Sequence, residues 1–459
     1  MKKLTPANDA VPPQDRALSR EMWAIAVPSI LANISIPLLG LADSFIMGHL
    51  EGPEYLAALA LGAMIFSVLY NGFNFLRMAT TGFAAQAYGR EDARESSVVL
   101  FRATFLALVI GALLILASPL ITSLSFQLTA AEAHVEDLAD SYFNLRIFGA
   151  PFALFNFVAV GWLLGMHRAG DALLVQIFMN VTNIALNIYL VYGLGMDVDG
   201  VGLGTALAEF LAAFLSVFLI YRQYRRYFGR SPFRRSALAE ILNSDGLTRL
   251  LKLNLDIFIR TLCLMAAMAS FTILGSRYGS AILAANAILM ELQMLTSYGL
   301  DGFAQAAEIL VGKATGRKNP NALRRAALVS GKFALYAALA YALLYALLGS
   351  GIVALLTDLD TIRLEARHYL WWLILLPLFS VWSFLFDGIF IGATAGAHMR
   401  NGMILSVLFY ALCLAITLPL WENHGLWFSY TAFMVMRALT LIRHYPDIEK
   451  AASRGGLSS

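Results

Sequence analysis

Apolar residues gather into twelve long runs along this chain, separated by short polar stretches. Each run approaches or exceeds the roughly 20 residues that an α-helix needs to cross the hydrocarbon of a bilayer. The runs cover approximately 22–48, 56–82, 97–122, 139–164, 171–193 and 201–221 in the first half. In the second half they cover 250–275, 283–310, 328–356, 369–393, 401–420 and 426–443. The pattern predicts an all-α integral membrane protein with twelve transmembrane helices. The even number in each half means that both halves enter the membrane from the same side.

The halves also match each other. Shifting the second half back by 227 positions lays Leu283-Ala284-Ala285-Asn286-Ala287 over Leu56-Ala57-Ala58-Leu59-Ala60. At the same offset Gly48, Gly52, Gly72, Gly89, Gly161 and Gly165 meet Gly275, Gly279, Gly299, Gly316, Gly388 and Gly392, and Arg90 meets Arg317. Pro151 and Pro377 pair one residue out of step, as a single insertion would produce. Two parallel six-helix lobes around a central cavity are expected, with boundaries at 1–221 and 250–459 and a basic linker at 222–249. In membranes, duplicated units of this kind are chiefly those of transporters, whose path lies between the repeats.

Composition adds support: 59% of residues are hydrophobic and only 14% charged, outside ordinary soluble usage. The polar opening MKKLTPANDAVPPQDRALSR lacks an adjacent short apolar stretch with a cleavage site, so no removable signal peptide is expected. Cys263 and Cys413 both sit in apolar runs and imply neither a disulfide framework nor a metal site.

Charge position is more informative than net charge. Loops after even-numbered spans carry Arg90, Arg94, Arg168, Arg222, Arg225, Arg226, Arg230, Arg234, Arg235, Lys313, Arg317, Lys318 and Arg400. The opposite loops are acidic, with Glu132, Glu136, Asp137, Asp197, Asp199, Asp358 and Asp360. The positive-inside rule then puts the basic loops and both termini in the cytoplasm, with 123–138 and 357–368 on the other side.

Polar residues inside the spans are costly and mark candidate chemistry. A carboxylate at mid-membrane costs about 2.5–3.5 kcal/mol even on the insertion scale, so it should face a cavity or a partner. Asp43 lies in the first span after Pro28, which removes a backbone donor and permits a bend. Its repeat counterpart is Ser270. Asn180, Asn183 and Asn187 share one helix face in the fifth span, opposite Val407, Tyr410 and Leu414 in the repeat. Thr205 in the sixth span has the counterpart Ala432. These residues read either as interhelical glue or as a proton or cation site centred on Asp43. In the second lobe Glu291, Asp301 and Asp387 divide evenly between structural pairs and a second cation or substrate surface. Asp256 and Arg260, four residues apart, are expected to pair locally. Arg77 and Arg146 read as ion-paired or snorkelling residues, and Glu209, Glu308 and Arg437 complete the intramembrane charges.

At these residues a resemblance appears. PLLGLADSFIMGHL from Pro37, with FLRMATTGFAAQAYG, GWLLGMHRAG, NVTNIALNIYLVYGLGMDVDGVGLGT, YGLDGFAQAAE and LFDGIFIGAT, resembles the multidrug and toxic compound extrusion (MATE) family. The resemblance implies cation-driven export of organic cationic or amphipathic compounds. It also implies a first-lobe cation site at Asp43, Asn183, Asn187 and Thr205, with Pro28 as the bending proline. Relatives often carry aspartate where this chain has Asn187, which lowers the expectation of sodium coordination and leaves a proton site on Asp43. No cofactor is expected beyond the coupling ion, H+ or alternatively Na+. The expected partners are small organic substrates and the bilayer, with no nucleic acid, and the chain is expected to act as a monomer in a bacterial inner membrane. A lipid or lipid-linked-precursor flippase is the second reading and an intramembrane enzyme the third. No HExxH, GxSxG or Walker A motif occurs, which argues against a self-contained ATP-driven pump.

Overall fold

A computed structural model describes residues 13–50, 52–129, 132–229, 231–232 and 244–454. Among the described residues there are helices and turns but no strand. The long helices are α1 (Pro13–Met47), α2 (Pro53–Gly89), α3 (Ala93–Leu116), α4 (Ala133–Gly165), α5 (Ala169–Gly193) and α6 (Asp197–Phe228). They continue as α7 (Ser244–Gly275), α8 (Ser280–Gly316), α9 (Pro320–Leu356), α10 (Asp360–Gly392) and α11 (Gly396–Ile442). Eleven helices make twelve crossings because α11 doubles back. Its backbone leaves the helical region at Glu422, with φ 50° and ψ −126°. The Thr417 hydroxyl then donates to the Gly425 carbonyl at 2.9 Å and meets the Ser429 hydroxyl at 2.9 Å, so the two legs run antiparallel.

The linker is shorter than the sequence suggests at both ends, since α6 runs on to Phe228 and α7 begins at Ser244. Arg230, Arg234 and Arg235, and the two termini beyond 13 and 454, lie outside the described residues.

The duplication holds in three dimensions, down to single turns. Asp92 caps α3 by accepting from the backbone N–H groups of Arg94 and Glu95, each at 3.0 Å. Its counterpart Asn319 caps α9 by accepting from Ala322 N–H at 3.0 Å. Such caps satisfy backbone donors that a helix start otherwise leaves open. The residues just before them, Glu91 and Lys318, both adopt positive φ, 57° and 55°, and so do the counterparts His167 and Thr394 at 59° and 56°.

The matched glycines are explained by close backbone approach. A Cβ on Gly161 would stand 2.4 Å from the Arg77 carbonyl, and one on Gly388 would stand 2.1 Å from the carbonyl of Ala304, the repeat counterpart of Arg77. Those contacts lie within each lobe. Between lobes, a Cβ on Gly89 would stand 2.2 Å from the Lys313 carbonyl, and one on Gly316 would stand 2.1 Å from the Gln86 carbonyl. Gln86 and Lys313 are themselves counterparts. The ends of α2 and α8 therefore cross reciprocally about a pseudo-twofold axis, at the end of the bundle that carries the basic loops.

Other contacts between the lobes cluster at that basic end. Gln86 Nε2 donates to the Gly392 carbonyl at 3.0 Å and to Thr394 Oγ1 at 3.2 Å. Trp23 packs edge-on against Phe303 and Phe333, with centroids 5.4 and 5.5 Å apart. Lys313 Nζ bonds Glu21. Further along α1, Asn33 donates to the Tyr298 carbonyl at 3.1 Å. Beyond it, Leu38, Leu41 and Phe45 are exposed. One hydrophobic core runs through the first lobe and across this junction, while a second is confined to the C-terminal lobe.

Candidate functional site

The first-lobe polar residues form a chain of hydrogen bonds across three helices. Thr205, one turn above Val201 on α6, donates back to the Val201 carbonyl at 2.8 Å, which fixes its hydroxyl. Asn183 Nδ2 donates to Thr205 Oγ1 at 2.8 Å. Asn187 Nδ2 donates both to Asn183 Oδ1 at 3.0 Å and to Asp43 Oδ1 at 2.8 Å. Spacing on α5 places Asn183 and Asn187 one turn apart on the face toward α6 and α1, and both are buried. The close α5–α6 approach depends on Gly204, where a Cβ would lie 2.1 Å from Asn187 Oδ1. That oxygen is buried and has no hydrogen-bond partner among the described residues.

Asn180 shares the face but not the site. Its amide donates to Ser35, to the carbonyl at 3.2 Å and the hydroxyl at 3.0 Å, and it accepts from Gln176 at 3.0 Å. The crossing of α1 and α5 brings position 180 level with Ser35 rather than with Asp43, so Asn180 clamps the helix pair. Pro28 lies inside α1, which continues unbroken across both Pro28 and Pro37 to Met47.

The repeat counterpart of the site is a structural contact. Ser270, opposite Asp43 in the duplication, donates to Tyr410 at 3.2 Å, and Tyr410 is the counterpart of Asn183. The positions meet in both lobes, but only the first lobe brings a carboxylate.

Arg146, Tyr142, Tyr70 and Glu209 form a second polar group in the first lobe. Arg146 pairs with no carboxylate at contact distance among the described residues. It bonds the Tyr142 hydroxyl and lies over the Phe66 ring, 4.3 Å from its centroid. Its charge acts on Asp43, Glu209 and Tyr70. Glu209 is 5% exposed, and its Oε2 has no hydrogen-bond partner among the described residues. Sequence reading found Arg146 and Glu209 as intramembrane charges but gave no sign that the charge of Arg146 acts on both Glu209 and Asp43. The signal was there only in part: 205 and 209 are one helical turn apart, on one face of α6.

In the second lobe Asp387 is held between two guanidinium groups, bonding Arg260 and accepting from Arg437 at 2.6 Å. The local Asp256–Arg260 pair does not form. Asp256 instead accepts from Arg400 at 2.6 Å, because helices α7 and α11 bring a better-placed cation to it. Asp301 senses Arg77, Arg260, Asp387 and Arg437 and so belongs to this charge network. Glu291 is exposed and stands apart from it.

Comparison with known proteins fits this architecture. The family model described as MatE matches residues 28–189 and 257–416, one match in each lobe. The chain belongs to the MATE family. It is 39% identical over 429 residues to DNA damage-inducible protein F of Escherichia coli (strain K12), covering 92% of this chain and 91% of that protein. It is 28% identical over 328 residues to the probable multidrug resistance protein NorM of Agrobacterium fabrum, covering 70% and 69% of the two chains. A solved MOP-superfamily transporter from Pyrococcus furiosus superimposes with a TM-score of 0.80 at 23% identity, covering 95% of this chain and 96% of that one. As a MATE protein, the chain is a multi-pass membrane transporter of a family associated with multidrug efflux.

Proposed function

We propose that this MATE protein exports organic cationic or amphipathic compounds in exchange for protons, by alternating access between its two lobes. The observation that carries the reading is the Asp43–Asn187–Asn183–Thr205 hydrogen-bond chain, which ends on a single carboxylate set in an apolar helix pair. Asp43 is the only member of that chain able to take up and release a proton. When it is ionised, Asn187 donates to it. When it is protonated, its need for that donor weakens, and the α1–α5 contact loses part of its hold. A proton thus binds the two arrangements with different affinity, which is all that coupling requires.

The contacts between the lobes described above lie toward the basic end, which supports reading this arrangement as the one closed on the basic side. Positive-inside reasoning places that side, the linker and both termini in the cytoplasm of a bacterial inner membrane. In this reading protonation from outside favours substrate release, and deprotonation toward the cytoplasm resets the site. The decisive experiment is transport of ethidium by the reconstituted full chain, with proton and sodium gradients imposed separately. A pH difference alone should drive transport. Dependence on a sodium gradient at constant pH, with no response to the pH difference, would overturn proton coupling.

A further inference from the structure

Two carboxylates, the half-buried Asp43 and the buried Glu209, lie in the first lobe, and the charge of the Arg146 guanidinium acts on both. Arg146 ends the first segment of α4, just before the one-turn 3-10 stretch Ile147–Gly149. The rings of Phe66, Tyr142 and Tyr70 surround its guanidinium carbon, with centroids 4.3, 5.6 and 5.9 Å away. Attraction to ring faces and the bond to Tyr142 hold the cation away from both carboxylates without removing its field. Glu209 fits because position 149 is glycine, where a Cβ would stand 2.3 Å from Glu209 Oε2. Asn156 secures the α6 backbone here by donating to the Glu209 carbonyl at 2.9 Å.

Four buried polar atoms of the first lobe lack a hydrogen-bond partner among the described residues: Tyr70 OH, Arg146 Nε, Asn187 Oδ1 and Glu209 Oε2. They belong to four different helices. Buried polar atoms are nearly always satisfied, so this group calls for ordered water in the first-lobe interior. Two carboxylates, amide oxygens and water would ordinarily suit an alkali cation, since sodium takes hard oxygen ligands. Here the positive charge that such a site calls for is already supplied by the chain.

We propose that Arg146 is the specificity-determining residue of the first-lobe site. Its caged guanidinium, balanced by Glu209, takes the electrostatic place of a bound alkali ion, so the first-lobe site admits a proton to Asp43 and rejects Na+. The inference deepens the proton-coupled reading and rests on it for the role of Asp43. The charged and titratable groups that bear on it are Asp43 from α1, Tyr70 from α2, Tyr142 from α4 and Glu209 from α6.

The test is 22Na+ binding to the purified full chain by scintillation proximity, paired with ethidium transport under a pH difference in sodium-free buffer. The wild type and Arg146→Lys, which keeps the charge, should bind 22Na+ only at background. Arg146→Gln should bind it about tenfold or more above background, the effect expected from removing one like charge several ångströms away at an effective dielectric near 20. Adding Asp43→Asn should abolish the gained binding. Should Arg146→Gln fail to fold with Glu209 left uncompensated, Arg146→Gln/Glu209→Gln restores the charge balance and carries the same expectation. Wild-type 22Na+ binding that Asp43→Asn removes would overturn the assignment, as would folded Arg146→Gln or double variants that gain none. The transport arm separates the two claims. If the wild type ignores the pH difference while Arg146→Gln gains Na+ binding, the proton reading falls and the role of Arg146 stands.

Discussion

Asp43 has one direct donor, the amide of Asn187, and that amide also serves Asn183. Replacing Asp43 by asparagine keeps the volume and removes the cost of burying an ion. Asp43→Asn should therefore express and melt within a few degrees of the parent, yet lose transport of ethidium driven by a pH difference. Undiminished transport would move the coupling site elsewhere. Asn187→Ala strips a partner from Asp43 and from Asn183 at once, and each lost hydrogen bond costs about 1 kcal/mol. Thr205→Val removes one bond at the far end, so it should lower the melting temperature less than Asn187→Ala does. Much of this site was legible in the sequence, because Asp43, Asn183, Asn187 and Thr205 are polar where Ser270, Tyr410, Leu414 and Ala432 are mostly not. Helical periodicity grouped Asn180 with them correctly by face but could not fix the level at which α1 crosses α5. Arg146 and Glu209 were visible only as charges in apolar runs. That the charge of Arg146 acts on both Asp43 and Glu209 depends on how α4, α6 and α1 rotate toward one another, which no single helix encodes.

At the scale of elements, the repeat made the helices and their turns readable in pairs. Asp92 and Asn319 cap equivalent helices with different side chains, so the duplication preserves hydrogen-bonding capacity rather than residue identity. The paired glycines have a sharper consequence. Gly89 and Gly316 let α2 and α8 cross with no side chain between them, and a Cβ at either would sit about as close to the opposing carbonyl as a hydrogen bond's H···O. The backbone cannot yield as a flexible side chain would. Gly316→Val should destabilise by about 1–3 kcal/mol, the usual cost of overpacking, and Gly89→Val by a similar amount because its contact is the symmetric one. Thermal unfolding in detergent checks both. Gly170, which has open space where a Cβ would go, should accept alanine without loss and serves as the control. The fold-back inside α11 was foreseen as two spans, yet the helix there is interrupted at one residue only. A polar Glu422 next to Trp421 and Asn423 gave the break, with Pro419 just ahead of it.

Across the whole molecule, the basic end is bound by a strut that joins the lobes through side chains. Lys313 of the second lobe bonds Glu21 of the first, and His167 Nδ1 lies 3.1 Å from the same carboxylate. Tyr88 stacks on His167 at 4.6 Å and lies under the Lys313 ammonium. His167 sits in the turn between α4 and α5, and its burial pushes the imidazole below its ordinary value of 6.5, with Lys313 adding to the effect and Glu21 opposing it. An imidazole held below its unfolded value binds its proton less readily in the closed form than in an opened or unfolded one. Its contribution is therefore intact above about pH 6.5 and is lost as the pH falls toward its lower folded value. Thermal stability in detergent should fall over that acid range, and His167→Gln should flatten the slope; an unchanged slope would show that the strut does not sense pH.

The same strut tests whether parting of the lobes at this end is part of the transport cycle. In a chain with Cys263 and Cys413 replaced by serine, Glu21→Cys and Lys313→Cys place two thiols where α1 faces α8. A bifunctional thiol cross-linker should then join the lobes and stop ethidium transport, while either single cysteine variant continues to transport after the same treatment. A cleavable linker lets reductant restore the activity, which separates a held conformation from damage. Full transport by the cross-linked protein would mean that substrate crosses without this junction opening, and alternation between the lobes would have to be sought at the acidic end alone.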